Sequence, residues 1–208
     1  MPRKQSSSTT ELPEGFLYQR DFLSEREEAE LLGIIQELPF EVFDFHGYKA
    51  KRRIVEYGWE YDFGSRKATT TRPIPEFLLA LRERAAAFAD LSPEDLVEAV
   101  VTEYPPGAPI GWHRDVPQFE VIIGISLASA ARMRLKPYRR GGRKSASAEL
   151  TRTEPANKIV SVILERRSIY VMRGVARWKF QHSIPAVERL RYSITFRTLR
   201  DKPQQRAA

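Results

Sequence analysis

The second half of this chain is written almost entirely in strand-length pieces, and that restricts its fold more than any other feature. Segments 97–104, 119–128, 131–136, 159–164, 168–172 and 191–199 are rich in β-branched and aromatic residues, with Pro/Gly turns between several of them. The first half has a different period. Ser24-Glu25-Arg26-Glu27 reads as a capping box, in which the serine side chain and the glutamate satisfy each other's backbone amides. Leu31, Leu32, Ile34, Ile35 and Leu38 follow at helical spacing, so a helix is expected over about 24–37, stopped by Pro39. A second helix is expected from 74 or 75 to about 89, and 40–64 reads as strands or a hairpin. Helices followed by a run of strands make an α+β fold, an antiparallel β core with helices packed on one face. With this many strands the core closes as a sandwich or jelly roll.

A chain of 208 residues has room for one such domain with elaborations. The expected division is a disordered leader over 1–12, one domain over 13–200 with its jelly-roll core at about 97–199, and a basic tail over 201–208. No stretch approaches the ~20 consecutive apolar residues of a membrane helix. The polar N-terminus lacks the hydrophobic segment of a signal peptide. A cytoplasmic monomer without membrane contact is the expectation. With no cysteine there is no disulfide, thiolate zinc site, iron–sulfur cluster or cysteine nucleophile, so any metal must be held by His, Asp or Glu.

The formal net charge is +7, and the excess is concentrated. Between Lys136 and Lys158, seven cations, Arg139, Arg140 and Arg143 among them, face only Glu149 and Glu154. With its Gly and Ser residues, 136–158 reads as a basic insertion loop inside the β region. Such a loop suits a polyanion and is equally compatible with a solvated surface.

Only three histidines are present, His46, His113 and His182. His113 and Asp115 are two residues apart, so on an extended chain both point to one side. Two imidazoles and one carboxylate on one face of an octahedron hold non-haem Fe(II) and leave three positions open. An H-x-D pair also occurs without any metal, and His46 reads as structural. The strand Arg191-Tyr192-Ser193-Ile194-Thr195-Phe196-Arg197 puts both arginines, Ser193 and Thr195 on one face and the bulky apolar residues on the other. Buried arginines require anions, and a guanidinium matches a carboxylate as a two-pronged fork. A solvated edge strand has the same pattern.

Together, Tyr104-Pro105-Pro106-Gly107 ahead of His113-Arg114-Asp115, then His182, then the 191–197 strand resemble the AlkB family of Fe(II)- and 2-oxoglutarate-dependent dioxygenases. The resemblance implies a double-stranded β-helix (jelly roll) core with N-terminal helices on one face and an aromatic nucleotide-recognition lid. It implies Fe(II) on His113, Asp115 and His182, the catalytic centre, with O2 and 2-oxoglutarate as co-substrates. Tyr104 and Arg191 would hold the distal carboxylate of 2-oxoglutarate, and Arg197 would sit beside the iron-ligating aspartate and near the co-substrate or base. Ser193 and Thr102, further co-substrate positions, stand where the archetypal bacterial member has asparagine. Pro117 stands at a position that is often acidic and reads the base.

The lid would lie in the segment 52–63, where Tyr57, Trp59 and Tyr61 alternate beside Arg53. Aromatic faces next to arginines grip unstacked bases, although an aromatic stripe is also what a core strand looks like. Arg53 could contact phosphate or pair with Glu56. The implied activity is oxidative demethylation of N-alkylated bases in DNA or RNA, a form of alkylation repair that releases succinate, CO2 and formaldehyde. The nucleic-acid partner would be single-stranded or have its target base flipped. The alternatives are a dioxygenase acting on tRNA or a protein side chain, and a non-catalytic nucleic-acid-binding module.

Overall fold

Ser24 caps the first helix as its sequence predicts: its hydroxyl accepts from the Glu27 amide, and the Glu27 carboxylate accepts from the Ser24 amide. The structure, a computed structural model, describes residues 11–45, 48–62, 67–70, 72–138 and 159–200. The side chains of 43–45, 48–49, 60–62 and 67–70 lie outside that description. So do His46, Arg139, Arg140 and Arg143, nearly all of the leader, most of the basic loop, and the tail.

The order is β1 (Phe16–Gln19), α1 (Glu25–Ile35), β2 (Glu41–Phe45), β3 (Tyr48–Tyr57), β4 (Trp59–Asp62), β5 (Lys67–Thr70) and α2 (Glu76–Phe88). The β region follows as β6 (Leu96–Tyr104), β7 (Ile110–His113), β8 (Phe119–Leu127), β9 (Ala131–Pro137) and β10 (Val160–Leu164). It closes with β11 (Ile169–Met172), α3 (Gly174–Trp178), β12 (Phe180–Ile184) and β13 (Arg191–Leu199). The seven-stranded major sheet runs β1-β11-β8-β13-β6-β3-β2, and the four-stranded minor sheet runs β10-β9-β12-β7. From β6 to β13 the chain passes repeatedly between these sheets, always pairing antiparallel. That winding is the double-stranded β-helix. β7 and β12 are additions to the strands expected from sequence.

Alternation along the major-sheet strands sorts the core into two layers. Val101, Ile123, Ile125, Ile194 and Phe196 face the helices, where they meet Ile35 of α1 and Leu78 and Leu81 of α2. Ile122, Tyr170 and Met172 face the barrel interior, with Met133 and Leu135 of the minor sheet opposite. Leu78 is fully buried, and a side chain of its size contributes about 1.5–3 kcal/mol on burial.

The expected lid breaks at Gly58. Its φ of +83° is open to glycine, and a Cβ there would lie 2.0 Å from the Val97 carbonyl oxygen. The turn ends β3 and starts the separate β4–β5 ribbon, so Tyr57 and Trp59 no longer share a face. Gly58→Ala should therefore destabilise the fold by about 2 kcal/mol or more, seen as a lower midpoint in urea unfolding.

Candidate functional site

The minor sheet brings together residues that the chain keeps far apart. β7 and β12 pair so that His113 stands directly opposite His182, with ring centroids 4.2 Å apart. Asp115 follows two residues after His113, and its Oδ2 lies 3.7 Å from His182 Nε2. One ligand atom from each of the three lies within 4.8 Å of the others.

Each donor is held ready for a cation. His113 Nδ1 lies 2.9 Å from the Gly111 carbonyl, which can only accept, so the proton sits on Nδ1 and the lone pair on Nε2. Burial, then the neighbouring His113, push the basicity of His182 down to about 3 against the pull of Asp115. Its imidazole is thus neutral near pH 7. Burial alone would raise the Asp115 carboxyl, but Arg197, then the two imidazoles and Arg177, outweigh it and hold it well below the usual range. Oδ1 of Asp115 accepts from Arg197 Nη2 at 3.1 Å, while the buried Oδ2 has no hydrogen-bond partner. Two imidazole nitrogens and one ionised oxygen without a hydrogen-bond partner fit Fe(II).

Arg197 is shared, donating through Nη1 to the buried Glu98 at 2.6 Å. Arg177, only 2% exposed, fixes the loop that carries the aspartate. Its Nη2 donates to the carbonyls of Asp115, Val116 and Phe119 at 3.1, 2.8 and 2.9 Å. Arg177→Met should weaken metal binding about 10–100-fold, the usual effect of losing a ligand's support, as read by metal titration.

A second centre lies on the major sheet. Arg191 is 1% exposed and stands opposite Tyr104, whose ring is 4.8 Å from its guanidinium. Its Nε donates to Ser126 Oγ at 3.0 Å, and its buried Nη1 has no partner. A buried guanidinium without a carboxylate is costly unless an anion arrives to meet it. Thr102, Tyr104, Thr195 and Arg197 line a cavity of ≈ 650 Å³ whose wall also includes His113, Asp115 and His182. Ser193, opposite Thr102, is buried on the same face of β13. Tyr170 lies across Gly124 on the cavity wall; a Cβ on Gly124 would come within 2.3 Å of its ring.

The recognition residues are corrected by register. Arg53 points away from the cavity and, although its side chain stays exposed, makes a two-pronged pair with Glu103, at 2.8 and 2.9 Å, instead of pairing with Glu56. Tyr57 is 5% exposed in the helix-side core, under the Arg72 guanidinium. The cavity-facing residues of β3 are Arg52, Ile54 and Glu56, one position out of phase with that expectation. Trp59 packs on the barrel-interior cluster, and the Tyr61 side chain lies outside the described residues. Pro117 does line the cavity. Sequence reasoning missed Glu98, Arg177 and Tyr170. Arg177 carried no local signal, whereas the strand alternation that places Tyr104 on the cavity side also places Glu98 there.

A family model described as "2OG-Fe(II) oxygenase superfamily" matches residues 15–197. Over 175 residues the chain is 28% identical to the "Alkylated DNA repair protein ALKBH8 homolog" of Arabidopsis thaliana, covering 79% of this chain and 49% of that protein. It is 27% identical over 184 residues to the mouse (Mus musculus) "tRNA (carboxymethyluridine(34)-5-O)-methyltransferase ALKBH8", covering 83% of this chain and 24% of that one. The chain thus spans about half the length of the first relative and about a quarter of the second. Among solved structures it resembles OsALKBH1, with a TM-score of 0.63 at 16% identity over 90% of this chain and 100% of that one. It also resembles a Pseudomonas putida prolyl-4-hydroxylase, with a TM-score of 0.56 at 15% identity over 90% and 94% of the two chains. At these identities the structural likeness is one of fold.

Proposed function

Because this chain belongs to the 2OG-Fe(II) oxygenase superfamily and is AlkB-like, we propose that it is a dioxygenase that removes N-alkyl groups from nucleobases in DNA or RNA. The observation that carries this reading is the opening of the His113–Asp115–His182 cluster onto the same cavity wall as Tyr104, with Arg191, whose Nη1 has no partner, against that ring. His113 Nε2, His182 Nε2 and Asp115 Oδ2 would hold Fe(II). Bound there, iron supplies the oxidising power by which O2 hydroxylates a C–H bond while 2-oxoglutarate leaves as succinate and CO2. Arg191 and Tyr104 would take the distal carboxylate of 2-oxoglutarate, which orients its keto-acid end towards the three ligands. Arg197 keeps Asp115 ionised and turned so that Oδ2 faces the site. Ile122, Met133 and Phe119 give the cavity an apolar part to its wall. A hydroxylated N-methyl group releases formaldehyde and restores the base.

Nucleic acid as the polymer is supported by the positive charge of the chain and by the DNA-repair and tRNA names of its relatives. A methyl group on a pairing edge is out of reach in a duplex, so the target base is unpaired or flipped. No helix among the described residues is long and apolar enough to cross a membrane. The test loads the protein with Fe(II) and measures succinate and formaldehyde on panels of methylated DNA, tRNA and peptide. Turnover of methylated nucleic acid, abolished by chelation, is the expected result. Turnover of peptide alone would replace this reading with side-chain hydroxylation. Nucleic-acid binding that persists under chelation, with 2-oxoglutarate never consumed, would make the chain a binding module.

A further inference from the structure

The site leaves one strongly basic surface unused. Met133 and Leu135 of β9 fill the barrel interior, so Arg132, Arg134 and Lys136 lie on its outer face. Lys136 Nζ is 4.2 Å and the Arg134 guanidinium 5.0 Å from the Trp112 ring centroid. Beside them Arg114 stacks on Tyr138 at 3.7 Å. Trp112, Arg114 and Tyr138 also line the cavity that holds the His–Asp–His cluster.

Arg134 connects this stack to a second concavity. It lines a groove of ≈ 810 Å³ formed by the β8–β9 turn and the β12–β13 loop, the length of β8 away from the loop bearing Asp115. Arg132, Arg166 and Arg189 line the groove as well, against one acid, Glu188. Arg166 is already paired with Glu28, and Arg134 donates to Ser183 Oγ at 3.1 Å. Arg132, Lys136 and Arg189 meet no carboxylate among the described residues. On the helix-covered side α1 carries Glu25, Glu27 and Glu30 at its surface against Arg26, with Glu25 and Glu27 paired to Arg167 and Arg84.

Alternate residues of a strand recur about every 7 Å, comparable to the step between phosphates of an extended single strand. We propose that the outer face of the minor sheet is a track for the sugar–phosphate backbone of a single-stranded nucleic acid, leading from the cavity mouth at Trp112 to the arginine-lined groove. The inference rests on the reading of the substrate as nucleic acid and extends it, by assigning where the strand beyond the target base lies.

Binding of an unmodified labelled single strand, read by fluorescence anisotropy across a salt series, tests the track without any turnover. Arg132→Glu and Arg26→Glu alter net charge equally, on the track and on α1. For a strand of about 16 nucleotides, Arg132→Glu should weaken binding about tenfold and lower the salt slope by about one. Arg189→Glu should act in the same direction. For a trinucleotide, too short to span from mouth to groove, the loss should be small. Equal losses from Arg26→Glu, or unchanged long-strand binding in both track variants, would overturn the proposal. So would a track that binds polyglutamate but no oligonucleotide. Turnover of methylated oligomers, measured separately, tells failure of the reaction from failure of the track.

Discussion

Replacing Arg191 with methionine is expected to leave the ligand-free protein at least as stable as before, while lowering its affinity for 2-oxoglutarate by about 3–4 kcal/mol, or roughly two to three orders of magnitude. The two effects have one cause. Arg191 is buried, its Nη1 lacks a partner, and Ser126 supplies only a neutral acceptor. In the empty fold this is an uncompensated cation, and an apolar side chain of similar volume removes that cost. When a dicarboxylate binds, the same cation gains its counter-charge. Calorimetric titration of 2-oxoglutarate into protein loaded with a redox-inert divalent metal reads the affinity, and thermal unfolding of the apo-protein reads the stability. Unchanged affinity would remove Arg191 from the co-substrate site.

Asp115→Ala is expected to abolish Fe(II) binding at micromolar concentrations, with a loss larger than the 10–100-fold typical of a supporting residue. The carboxylate has two separate tasks. Oδ1 engages Arg197, and Oδ2 is the unengaged donor beside His182. Removing it takes away the only anionic donor of the cluster and leaves Arg197 with Glu98 as its ion-pair partner among the described residues. Asp115→Asn separates the tasks, because a neutral carboxamide keeps the volume and can still accept from Arg197 but attracts a cation far less. Metal titration should therefore show a severe defect in both variants, and thermal unfolding a larger defect in the alanine variant. Normal iron affinity in Asp115→Asn would mean that the metal, if bound, sits elsewhere.

Much of this site is legible in a linear reading, because it depends on neighbours along the chain. His113 and Asp115 share a side since i and i+2 do so on extended backbone, and the same rule puts Arg191 and Arg197 together on the interior face of β13. The capping box at Ser24 and the helical spacing of Leu31, Leu32 and Ile35 are equally local, and α1 forms where they place it. The family motif joined these pieces to His182 and Tyr104 across long sequence separations.

Other features depend on pairings that no local period encodes. β7 and β12, IGWH and FQHSI, lack the β-branched runs that mark strands as short as β10 and β11, yet their register sets His113 against His182. A one-residue phase exchanged Arg53 for Arg52 at the cavity, because the partner strand, not the composition of β3, decides which face turns inward. Gly58 interrupted an aromatic alternation that looked continuous, and sent Tyr57 to the core. Arg177 acquired its role only when α3 came against the 115–119 loop. Periodicity along the chain assigns faces, since side-chain direction is fixed by the backbone between neighbours. Which faces meet is fixed by strand register and packing, where contacts remote in sequence outweigh local preference.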